Sequence, residues 1–204
     1  QNGVGSIQTG AKFAQREQGL MAPVLLDDDW LYGGTIDAIH ETIKGGRQGM
    51  MTAHKDTLSP QQIDDVANYV KAMGDGGKEV ADANAAVAAG KKVFEESDCT
   101  ACHGSDAKGM QAMGSANLTD KIARFDTSVE AIKHTITYGV NSGDPMARVA
   151  IMPDFTAGGK LSAVEMKKLA VYVYKFGGGQ ADAAPVVEEA AAPVVEAAAT
   201  AAAN

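Results

Sequence analysis

Two cysteines are all that the 204 residues contain, so no disulfide framework is available to hold a small fold together. No run of about 20 apolar residues occurs that would read as a membrane-spanning helix, and no signal-peptide pattern is found. Cations are scarce, with 18 Lys and Arg against 26 Asp and Glu and a net charge of −8. Nucleic-acid binding, which needs clustered Lys and Arg to displace phosphate counterions, is therefore excluded as an expectation. Asp182, Glu188, Glu189 and Glu196 lie in a stretch without Lys or Arg, so the rest of the chain is only mildly acidic. That balance permits docking to a basic partner without requiring it. Strand-like alternation and hairpin signals are also missing, which leaves an all-α chain as the expected class.

What is present begins with the cysteines. They stand in Cys99-Thr100-Ala101-Cys102-His103. A C-x-x-C pair alone fits a thiol redox centre or half of a zinc site. The adjacent His103 and the lack of a second Cys pair favour covalent attachment of haem c instead, with thioether links at Cys99 and Cys102 and the iron on His103. A methionine thioether is the usual opposite ligand in electron carriers. Met110, Met113, Met146, Met152 and Met166 are within the same half of the chain. Met152 is the first choice, because Met152-Pro153 follows an irregular stretch that can cross the ring face. Met113 stays open as the rival, and Met166 falls on a helical apolar face. His40, His54 and His134 are read as ordinary surface or packing residues.

The chain also repeats itself. Ala38 to Gly46 aligns with Ala131 to Gly139, 93 positions on, and Leu58 to Val70 aligns with Leu161 to Val173, 103 positions on. The second copy thus carries about ten extra residues, most simply 141–150. Ser59 and Ser162 are N-cap candidates, with Gln62 and Glu165 as capping-box partners, each followed by apolar residues at helical spacing. Another helix is expected from about Ala83 through Gly90 and Phe94 into the cysteine motif. The expected organisation is a unit over 1–75, a linker at 76–82, a second unit over 83–180 and a tail at 181–204. That tail of Ala, Pro, Val and Glu is expected to be disordered, since it cannot bury enough apolar surface to offset its ordering entropy.

Leu25 to Gly34 (L-L-D-D-D-W-L-Y-G-G), the following segment to Gly46, Gly46 to Met51 and Asn117-Leu118-Thr119-Asp120 resemble the dihaem subunit of cbb3-type cytochrome c oxidases over roughly residues 1–180. The resemblance implies two tandem class I cytochrome c domains on the periplasmic side of a bacterial inner membrane. It also implies a membrane anchor that this chain does not contain. The expected partners are the other subunits of a membrane-bound oxidase and a cytochrome c or bc1-type electron donor. Cys99, Cys102, His103 and Met152 become the ligand set of the second domain, and Met51 the distal ligand of the first, with Met50 as its neighbour. Gly90 and Phe94 are expected to meet Leu169 and Tyr172 where the first and last helices cross.

The chain departs from that pattern at three places. The first copy has no C-x-x-C-H, and Gln1 aligns opposite Ser105, so the expectation is a chain whose first haem motif and anchor precede residue 1. The second copy has Ser115-Ala116 where the first keeps Pro23, at the position whose carbonyl supports the proximal His. Ile122 to Asp126 replaces the W-L-Y-G-G stretch. Electron relay is the leading function, without independent catalysis by this chain. A peroxidase with a removable iron ligand, and a soluble dihaem carrier or dehydrogenase subunit, are the alternatives.

Overall fold

The computed structural model describes residues 23–122, 124–176 and 178–181. Tail residues 182–204 and the aligned start of the first copy, 1–22, lie outside them. Seven α-helices form among the described residues: α1 Ile36–Gly45, α2 Pro60–Gly76, α3 Lys78–Ala83, α4 Ala88–Glu96, α5 Cys99–His103, α6 Val129–Tyr138 and α7 Ala163–Tyr174. No strand forms there; three isolated β-bridges tie loops together.

The helix starts follow side-chain chemistry. Ser59 and Ser162 each accept from the backbone three residues on, while Gln62 and Glu165 reach back to the cap N–H, closing two capping boxes. Thr35 and Ser128 cap α1 and α6 with a single such bond. Residues 76–82, expected as a linker, are mostly helix. The expected continuous helix from Ala83 is interrupted, because the Asn84 side chain accepts from Ala86 N–H and turns the chain before α4. A second interruption separates α4 from α5, where Ser97 directs both its N–H and its hydroxyl to the Val93 carbonyl.

Two apolar clusters hold these helices. One gathers Ile63, Val66, Ala67, Tyr69 and Met73 of α2 with Phe94 of α4, Ile136 of α6, Ala81 and Ala107. Tyr69, Phe94, Met73 and Val66 are essentially sealed from solvent, each contributing about 1.5–3 kcal/mol by burial. The other gathers Ile39 and Ile43 of α1 with Met166, Ala170 and Val173 of α7, with Trp30 and Met152 packed against them.

The pairing of helices differs from the expected tandem order. The block that ends the first copy, α2, packs on α4 and α6 of the second, while α7 of the second packs on α1 of the first. Gly90 and Phe94 consequently meet Tyr69, with ring centroids 5.7 Å apart, rather than Leu169 and Tyr172. Tyr172 is 60% exposed and Leu169 37%. One packed unit is therefore a continuous stretch from about Met51 to Arg148. The other is assembled from two flanking pieces, 23–47 and 152–181. The far ends of the flanking pieces also meet, since Gly34 and Gln180 exchange hydrogen bonds and Trp30 Nε1 donates to the Gly178 carbonyl.

Tyr69 donates its hydroxyl to Asp82 Oδ1 at 2.6 Å, and Lys78 pairs with the same carboxylate at 2.7 Å. Burial pushes the Tyr69 phenol well above its ordinary range, with the Asp82 bond adding to it. Burial also works against the Asp82 charge, but the bonds from Lys78 and Tyr69 outweigh it and hold the carboxyl below its usual range. A carboxyl with a lowered folded-state pKa contributes stability above its unfolded value, lost as pH falls through the folded one. Asp82→Asn should therefore lower the melting temperature near neutral pH and flatten its decline below about pH 4, the ordinary carboxylate range. Thermal melts across pH 2–7 check both.

Candidate functional site

Helix α5 is little more than one turn, and it sets Cys99 and Cys102 three residues apart on one face. Both thiols are free and half-buried. Burial pushes the Cys99 thiol up to about 11, with the Asp98 charge acting the same way. A thiol-redox nucleophile needs a lowered pKa, so that reading loses support. Among the described residues no group of three His, Cys, Asp or Glu side chains could hold a metal ion, which counts against a zinc site.

His103 ends α5. Its Nδ1 lies 2.9 Å from the Ala116 carbonyl oxygen, which can only accept. The proton is thereby assigned to Nδ1, and Nε2 carries a free lone pair, the form an iron ligand requires. Burial lowers the proton affinity of His103, against the raising effect of the Ala116 bond, so the ring stays neutral at neutral pH. Two same-face thiols followed by a neutral, oriented imidazole fit a covalently attached haem.

Ser115-Ala116, which replaces the expected proline, keeps the carbonyl acceptor and restores rigidity by another route. The Ser115 hydroxyl donates to the Cys102 carbonyl and accepts from Met110 N–H at 2.8 Å. Gly109 N–H donates to the His103 carbonyl at 2.8 Å, so the loop is fastened to α5 twice. Sequence reading did not single out Ser115 for this role. Its only sequence signal is its place beside the alanine that stands for proline.

The methionines divide between the two packed units. Met51 packs against the cluster that also contacts Cys99, whereas Met152 packs against the cluster of α1 and α7. The structure therefore groups Met51, rather than Met152, with Cys99. Met113 is 51% exposed, Met146 46% and Met50 73%, while Met166 is buried in the α1 and α7 core as its helical spacing implied. Among the described residues a cation–aromatic pair occurs once per unit and comes from a single copy each time. Arg47 stacks on Tyr32 and donates to Thr42 Oγ1; Arg148 stacks on Phe125 and donates to Thr135 Oγ1. Among the described residues, the methionine segments and the last helices pack against the opposite copy.

The segments bearing Met51 and Met152 are themselves tied to the opposite copy. Arg47 and Met152 exchange backbone hydrogen bonds at 2.9 and 2.8 Å, and Met51 and Val140 at 2.9 and 3.0 Å. His54, read as ordinary from sequence, is buried, and its N–H donates to the Ile136 carbonyl at 3.0 Å. Its ring stands 3.6 Å from Asp98, the residue before Cys99. Thr52, His54 and Asp98 border a cavity of about 640 Å³ between α2 and α4 whose lining does not include His103.

Residues 85–173 match the family described as cytochrome c oxidase, cbb3-type, subunit III. The chain is 40% identical over 169 residues to the cbb3-type cytochrome c oxidase subunit FixP of Bradyrhizobium sp. (strain ORS 278), covering 78% of this chain and 53% of that protein. It is 38% identical over 175 residues to a subunit CcoP of Rhodobacter capsulatus, at 78% and 54% coverage. Over 102 residues it is 50% identical to the subunit CcoP of Rubrivivax gelatinosus, covering 49% and 31%. The chain spans about half the length of the curated relatives that it matches over most of its own sequence.

Proposed function

This chain belongs to the cbb3-type cytochrome c oxidase subunit III family, and from that premise we propose that it relays electrons through haem c toward the oxygen-reducing subunit of such an oxidase. The observation that carries the proposal is the neutral His103 ring, held by Ala116 with Nε2 free, directly after two same-face thiols. Haem c would supply a one-electron carrier. The protein's part is to hold it. Cys99 and Cys102 would attach it, and His103 and Met51 would hold its iron. Met152, packed against α1 and α7, would then serve a haem of the first copy and not this one.

With His103 and Met51 as its ligands, a bound haem would have a raised reduction potential and no open iron position. No proton-transferring group is needed, consistent with a relay that does no chemistry of its own. The setting is the periplasmic side of a bacterial inner membrane. Its partners are the other oxidase subunits and a cytochrome c or bc1-type donor.

Expressed with haem-attachment machinery, this chain should carry one haem mass under denaturing conditions, lost when Cys99 and Cys102 are replaced. Its reduced form should not bind carbon monoxide. Absence of covalent haem would overturn the proposal, and strong carbon monoxide binding would point to an open iron position instead of a relay.

A further inference from the structure

The ten residues that only the second copy possesses, 141–150, lie between Val140 and Met152, the two residues that pair with the 47–51 segment. Their ends are stapled to each other. Asn141 accepts from Ala150 N–H at 3.0 Å and donates to the Ala150 carbonyl at 2.9 Å. Its second amide hydrogen goes to the Gly49 carbonyl, two residues before Met51, at 2.7 Å. The amide thereby uses two donors and one acceptor on one staple. Further along the insertion, Asp144 pairs with Lys55, four residues after Met51, at 2.5 Å. Asn141 holds this position in a left-handed conformation, φ 48°, a cost that Asn tolerates better than most residues.

We propose that this insertion is a clamp on the distal methionine, with Asn141 as the positioning residue that holds Met51 from the Gly49 side and Asp144 holding it from the Lys55 side. The inference rests on the reading of Met51 as distal ligand. The Asn141 amide also holds Ala150, two residues before Met152, but only the Met51 segment has the second hold, through Lys55 and Asp144. The contacts involve backbone carbonyls and an ion pair rather than the iron, so Asn141 acts through Met51 and does not touch the reacting group.

The test uses the haem-loaded chain. Asn141→Gly keeps the left-handed turn, since glycine adopts it without strain, and removes only the staple. Covalent haem content and helical circular dichroism should stay as in the parent. The charge-transfer absorption of the methionine-to-ferric-haem bond should weaken, and imidazole should displace the methionine at about tenfold lower concentration, the factor expected for about 1.4 kcal/mol of lost positioning. Lys55→Met should shift the imidazole titration in the same direction by less, because an exposed ion pair is worth less than a hydrogen-bonded staple.

Met51→Leu separates the two ideas. If it abolishes the methionine absorption while Asn141→Gly leaves spectrum and titration unchanged, the clamp is overturned and the ligand stands. If Met51→Leu retains the absorption, the ligand reading is overturned and the clamp with it.

Discussion

A fragment covering residues 47–150 is expected to fold around its attached haem with methionine on the iron, whereas a fragment covering 78–181 is expected to do neither. The first contains the cluster of Tyr69, Phe94, Met73, Val66 and Ile136 in full, together with Met51 and the Ala116 loop. The second has the length of one repeat copy but lacks α2, which supplies five of the nine buried members of that cluster. Losing the burial of Val66, Tyr69 and Met73 alone removes roughly 5–9 kcal/mol, at about 1.5–3 each. That is comparable with the whole stability of a small domain. In its place the fragment would have α7, whose buried residues Met166, Ala170 and Val173 would be without their partners on α1. Helical circular dichroism, cooperative melting and the visible spectrum of both fragments decide the matter. A folded 78–181 fragment with methionine-ligated haem would refute the exchange of last helices.

The second large effect is expected at Gly90. A β-carbon there would overlap the Asp65 carbonyl and stand 2.7 Å from Tyr69 Cβ. Both obstacles belong to α2, one of them backbone, so the helices must separate to admit a methyl group. Gly90→Ala should therefore destabilise the haem-bearing unit by about 3 kcal/mol, the upper part of the range for overpacked sites. A matching change at Leu169→Ala, which is partly exposed on α7, should cost that unit little. Were α4 packed on α7, Leu169→Ala would cost that unit heavily as well. Denaturant titrations followed through the haem absorption, which reports on this unit alone, read the difference.

Much of the site was legible in the sequence because its chemistry is local. Cys99, Cys102 and His103 are adjacent in one motif, and the capping boxes at Ser59 and Ser162 need only a three-residue spacing. The carbonyl that orients His103 was implied by the family resemblance, and it survives the replacement of proline by Ala116. The pairing of helices was not legible, for a physical reason. The blocks Leu58 to Val70 and Leu161 to Val173 present similar apolar faces, so either can close either unit, and periodicity within a helix says nothing about its partner. Tyr69 and Tyr172 occupy equivalent places in the two copies, yet the first is sealed and the second is 60% exposed. The aromatic contact to Phe94 and the hydroxyl bond to Asp82 are open only to Tyr69. Met51 and Met152 were both read as ligands; the structure packs Met51 against the cluster that contacts Cys99 and Met152 against that of α1 and α7, and the haem proposed for each follows that packing rather than sequence order.

The most direct test of that reassignment is the charge-transfer absorption of the methionine-to-ferric-haem bond in the haem-loaded chain, compared between Met51→Ala and Met152→Ala. The structure groups Met51 with Cys99 and Met152 with α1 and α7. The expected result is that the absorption disappears in Met51→Ala and persists in Met152→Ala. Its disappearance in Met152→Ala alone would contradict the account and restore the order in which the copies follow one another in the sequence.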